Sequence, residues 1–133
     1  MEQRVMRHKQ DRSDTWITIE EPLALADTLQ QWVSPNRVIL VDCLTLWLMN
    51  LLSHPDESRL AKEQEQLLST LSTLSGTIIF VSNEVGLGII PMGELTRKYV
   101  DEAGRLHQQL AQQVDNVTLM VAGLPMVVKQ SKK

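Results

Sequence analysis

The chain has 133 residues, 43% of them apolar and 22% charged, which suits one globular domain (1–133) with a modest core. A formal charge of −3 gives no bulk attraction to nucleic acid or to an anionic membrane surface. Cys43 is the single cysteine, which excludes an internal disulfide framework and a cysteine-cluster zinc site, and fits a reducing, cytoplasmic setting.

The opening stretch MEQRVMRHKQDRSD is polar and carries acids, unlike a secretion signal or a transit peptide. No apolar run approaches the roughly 18 residues of a membrane span, so none is expected. Arg7, His8, Lys9 and Arg12 crowd together in this stretch, and His8 and Arg12 share a face if it is helical. Cations around a histidine favour its neutral form, which leaves a ring nitrogen able to attack phosphorus. The same cations balance phosphate charge. A solvated basic helix end would carry the same residues, and the pattern alone leaves both readings open.

EEPLALADTLQQWV follows, with Pro22 at a helix N1 position and Leu25, Leu29 and Trp32 on one face. RVILVD (37–42) is a short β-branched run ending on Asp42. LTLWLMNLLS (44–53) is apolar almost all round, the pattern of a buried helix, and SHPDES (53–58) is the turn that closes it. Residues 57–75 align Leu60, Leu67, Leu71 and Leu74, with Gly76 as the C′ residue. TIIFVS (77–82) is a second β run, and it leads into Asn83, Glu84, Gly86 and Gly88. Residues 94–114 carry the strongest helical stripe: Leu95, Tyr99, Ala103, Leu106, Leu110 and Val114. VTLMVA (117–122) is a third strand, and the basic tail KQSKK is expected to fray. His54 in its turn and His107 on its helix are given no catalytic role.

Strands alternating with helices predict an α/β fold with a parallel sheet and right-handed crossovers. Because each β run is continuously apolar, helices are expected on both sheet faces. Parallel strands put their C-terminal ends on one edge, where open α/β sheets bind ligands. Asp42, Asn83 and Glu84 would meet there in one crevice. An acid at the end of four apolar strand residues has the form of a Walker-B carboxylate, which holds Mg²⁺ beside a nucleotide phosphate. An acid capping the next helix fits the pattern equally well. Glycines at 86 and 88 need mean no more than a tight turn.

Taken in order, RVMRHKQDRSDTWITIEEP, LVDCLTLWLMNLL, FVSNEVGLGIIP and AGRLHQQLA…VTLMVAGLP resemble the bifunctional adenosylcobinamide kinase and adenosylcobinamide-phosphate guanylyltransferase family of cobalamin biosynthesis, over essentially the whole chain. The resemblance implies a three-layer, RecA-like P-loop NTPase fold and two half-reactions. The first phosphorylates the aminopropanol hydroxyl of adenosylcobinamide with GTP or ATP. The second transfers GMP from GTP to that phosphate through a guanylylated histidine. The matching histidine is His8, and Arg7 stands where some members have another histidine. Lys9, Gln10, Asp11 and Arg12 match a guanine-nucleotide segment, Glu20 a nucleotide-contacting acid, and Asp42 the Walker-B-like acid and Mg²⁺ partner. Asn83 and Glu84 acquire no defined role. A homotrimer is implied.

The family pattern begins with a strand, a Gly-x-x-x-x-Gly-Lys loop and a helix, and no such motif occurs among the six glycines here. The expectation is an N-terminally truncated member, poorly soluble and inactive alone, with apolar sheet surface left open. The alternatives are a non-catalytic remnant, or a subunit needing a separate P-loop segment. A generic α/β nucleotide-binding domain fits less well, because four blocks match in order.

Overall fold

The computed structural model describes residues 16–84 and 93–131. Among these residues, four helices and four strands run in the order α1 (Leu25–Trp32), β1 (Val38–Asp42), α2 (Leu44–Leu52), α3 (Ser58–Thr70), β2 (Thr77–Val81), α4 (Glu94–Gln113), β3 (Val117–Val121) and β4 (Leu124–Lys129). A single 3₁₀ turn, Leu71–Thr73, extends α3. This is an α/β chain with a parallel strand pair. Among the described residues no helix is long and apolar enough to cross a membrane.

Helix α2 is buried as its composition requires, with Leu44, Thr45, Trp47, Leu48 and Leu51 out of solvent. Its neighbours Leu25, Leu29, Leu67, Leu106 and Leu110 come from α1, α3 and α4, so one cluster joins all four helices. Each such leucine contributes roughly 1.5–3 kcal/mol by leaving water. The Trp47 indole N–H donates to the Leu23 carbonyl (2.8 Å), and the Asn50 amide donates to that of Pro22 (3.2 Å). These two bonds fasten the segment before α1 onto α2. Pro22 is not the N1 residue: α1 begins three residues later, at Leu25.

Strands β1 and β2 pair in parallel, with Val38 opposite Thr77 and Asp42 opposite Val81. Ile39, Val41, Ile78 and Phe80 pack on the helical cluster. The opposite face is open among the described residues: Val38, Leu40, Ile79 and Val81 are 51%, 45%, 48% and 41% exposed. Among the described residues, the expected helical cover is met on one face. An unbroken apolar strand gives no period-2 signal, so its sequence cannot say which face a helix covers.

The third run also departs from expectation. Strand β3 does not join the parallel pair; it pairs antiparallel with β4, Val121 opposite Leu124. Ala122 (φ 52°) and Gly123 (φ 76°) turn the chain, the two positive φ angles of a tight hairpin. The tail is anchored rather than frayed through Ser131. Lys129 Nζ donates to the carbonyls of Ala111 (2.8 Å) and Gln112 (3.3 Å), and the Ser131 N–H donates to Asn116 Oδ1 (3.2 Å). The two carbonyls lie in the last turn of α4, where helix acceptors have no partner of their own.

Gly76 has its expected freedom used differently. Leu74, not Gly76, ends the 3₁₀ turn, while Gly76 sits at φ +94° with a would-be Cβ 2.2 Å from the Ser34 carbonyl oxygen. It lets the loop before β1 lie directly against the start of β2.

Candidate functional site at the C-terminal edge of the parallel strands

Because β1 and β2 are parallel and Asp42 lies opposite Val81, Asp42 and the segment Ser82–Glu84 share one edge of the sheet. Asp42 is exposed and belongs with Val38, Leu40 and Val81 on the open face. It does not cap α2: the N-cap position is Cys43, with no side-chain cap bond. That favours a carboxylate presented to a ligand over the capping role. Cys43 Sγ lies 3.3 Å from Thr45 Oγ1, in the first turn of α2. Thr45 is also hydrogen-bonded to Tyr99 of α4, whose phenol is held above its usual ionisation range by burial, the Thr45 bond opposing this less strongly.

The other side of the edge is built differently. Ser82, one residue past β2, is half-buried against α4, and its Oγ is 2.6 Å from His107 Nε2. His107 Nδ1 stands 4.0 Å from Glu84 Oε2. Ser82 and Glu84 therefore meet an α4 side chain on the helix-covered face, opposite to Asp42. The predicted single edge holds, but the acids flank it from two faces rather than sharing one crevice. Among the described residues no group of three or more His, Cys, Asp or Glu side chains could hold a metal by itself. Mg²⁺ is commonly bound by one or two carboxylates together with substrate phosphates, so an exposed strand-end Asp42 fits that use.

A family model for cobinamide kinase / cobinamide phosphate guanyltransferase matches residues 1–128. The chain belongs to this family. It is 55% identical over 129 residues to the bifunctional adenosylcobalamin biosynthesis protein CobP of Pseudomonas aeruginosa, covering 97% of this chain and 75% of that relative. It is 32% identical over 142 residues to the bifunctional adenosylcobalamin biosynthesis protein CobU of Escherichia coli, covering 97% of this chain and 78% of the relative. The Salmonella typhimurium CobU is 31% identical over the same length. This member of the cobinamide kinase and guanyltransferase family is thus an enzyme of cobalamin biosynthesis that uses nucleotide substrates.

For this family member, the predicted site residues divide into three groups. His8, Lys9, Gln10, Asp11 and Arg12 lie outside the described residues, as do the glycines at 86 and 88. Glu20 is exposed in the segment leading to α1, fastened through Leu23 and Pro22 to α2. Asp42 stands at the end of β1 as foreseen. His107 is the residue that sequence reasoning passed over. Counted along α4, it falls next to Leu106 on the buried stripe, inside the block AGRLHQQLA that carries the resemblance without giving it a role.

Proposed function

We propose that this chain phosphorylates adenosylcobinamide and then transfers GMP from GTP to the product, within a single domain of the RecA-like P-loop NTPase type. One observation carries the site assignment: an uncapping, exposed carboxylate, Asp42, at the C-terminal end of a parallel strand. In this reading Asp42 binds Mg²⁺ on the open side of the edge. The metal neutralises charge on the transferring phosphoryl group when bound. His8 is the nucleophile of the guanylyl step: its ring nitrogen attacks the α-phosphorus of GTP, and pyrophosphate leaves. Lys9, Gln10, Asp11, Arg12 and Glu20 orient the guanine nucleotide. Adenosylcobinamide and GTP or ATP are the substrates, the assembly is a homotrimer, and the setting is cytoplasmic.

The test is covalent labelling. The chain is incubated with GTP radiolabelled at the α-phosphate and Mg²⁺, and the label is mapped by mass spectrometry. Label on His8, absent from His8→Ala, is the expected result; label elsewhere or none refutes the histidine assignment.

A further inference from the structure

The sheet edge has two sides, and the kinase reading above uses only one of them. Asp42 faces outward with Val81 on the open face, while Ser82 turns into the helical face. Neighbouring strands lie about 4.8 Å apart, so a phosphorus atom above this edge has the two groups on opposite sides. Phosphoryl transfer places the attacking and leaving oxygens roughly in line through phosphorus. Asp42 would hold a metal on its own side of the edge, which leaves the Ser82 side for an attacking alcohol.

The hydrogen-bond order at Ser82 suits an alcohol. The Glu84 carboxylate lies toward His107 Nδ1, at 4.0 Å. At 4.0 Å the carboxylate makes no hydrogen bond to the ring, but its negative charge favours the neutral tautomer with the proton on Nδ1, which leaves Nε2 an acceptor. His107 Nε2 then accepts from the Ser82 hydroxyl at 2.6 Å. Having spent its one proton on His107, Ser82 Oγ offers only lone pairs to the edge. It can receive an O–H and has nothing to donate to a phosphate oxygen.

We propose that Ser82 is a catalytic residue of the phosphoryl transfer, receiving the proton of the acceptor alcohol, with His107 as the positioning residue that takes up the Ser82 proton and Glu84 as the group that orients His107. The inference rests on the kinase reading. In the step, the alcohol oxygen bonds to the γ-phosphorus of the nucleoside triphosphate. The bond from that phosphorus to the β–γ bridging oxygen breaks, and the nucleoside diphosphate departs with the electron pair. The alcohol proton passes to Ser82 Oγ as the Ser82 proton passes to His107 Nε2. The imidazolium so formed faces the Glu84 carboxylate, and it returns its proton to solvent before the next turnover.

Two measurements on the full chain test this. In ¹⁵N NMR of the imidazoles, His107 carries its neutral-form proton on Nδ1, and Ser82→Ala shifts the Nε2 resonance; a proton on Nε2 overturns the relay whatever the activity. In kinetics with adenosylcobinamide, MgGTP or MgATP, Ser82→Ala and His107→Ala lower kcat for phosphoryl transfer about 100-fold, relative to guanylyl transfer by the same preparation. His107→Gln can still accept the Ser82 hydrogen bond but cannot take up its proton, so kcat stays low. Recovery of kcat in His107→Gln, or an unaltered kcat in Ser82→Ala, overturns the relay and leaves the kinase reading intact. Absence of both half-reactions in the unsubstituted chain refutes the reading itself, and the relay falls with it.

Discussion

Asp42→Asn isolates the charge at the strand end from everything structural. The side chain is exposed and caps no helix, so the substitution leaves the urea midpoint of unfolding nearly unmoved, within about 0.5 kcal/mol. Loss of the metal partner lowers Mg²⁺-dependent phosphoryl transfer by about 100-fold or more. A large drop in stability, or an unchanged rate, would contradict the assignment. Tyr99 offers a second reading at this scale, because it is the one tyrosine of the chain. Burial raises its ionisation above the usual range, so the folded chain retains a proton that the unfolded chain releases near pH 10. The folded state thus binds more protons above that pH. The stabilisation is complete below it and is lost as pH rises through the higher folded value. Ultraviolet titration of the phenolate should run above the ordinary tyrosine curve, and Tyr99→Phe should abolish this share of the alkaline loss of stability.

At the scale of elements, the loop between α3 and β2 depends on one residue. Gly76 combines φ +94° with backbone oxygen from Ser34 where a Cβ would stand. Gly76→Ala must both enter a disfavoured backbone region and displace that loop, at a cost of roughly 2 kcal/mol or more. Chemical denaturation measures it; a change below half a kcal/mol would show that the loop yields freely. The glycine was legible in the sequence as a punctuation mark, though its partner, Ser34, was not, being far along the chain. Helices announced themselves well: Leu67, Leu106 and Leu110 are buried as their spacing predicts. The hairpin did not. VTLMVA has the same composition as the two parallel runs, and only the Ala-Gly step before LPMVVK marks a tight reversal. Asp42 was readable because strand direction fixes which end an acid occupies. His107 was unreadable because its meaning comes from Ser82, brought near by folding rather than by spacing.

For the molecule as a whole, the sheet face left open among the described residues and the hairpin present the main exposed apolar surface. Val38, Leu40, Ile79 and Val81 form one apolar strip, and Met120, Leu124, Met126, Val127 and Val128 are exposed on β3 and β4. Surfaces of this kind bind dyes and promote association. The chain should bind the hydrophobic dye ANS, and sedimentation should show mass rising with concentration. Leu40→Gln with Ile79→Gln should weaken both effects while moving the melting temperature little, since these side chains are about half in water already. A dye-silent monomer at high concentration would contradict this account.

The Lys129 ammonium has a practical consequence for anyone handling the protein. Its two bonds reach back to the final carbonyls of the helix that bears His107 and Tyr99. A stop codon introduced just upstream would therefore do more than shave a loose end: it would untie the knot holding that helix's last turn closed. Fusion partners should be joined beyond Ser131, where the fastening is left whole.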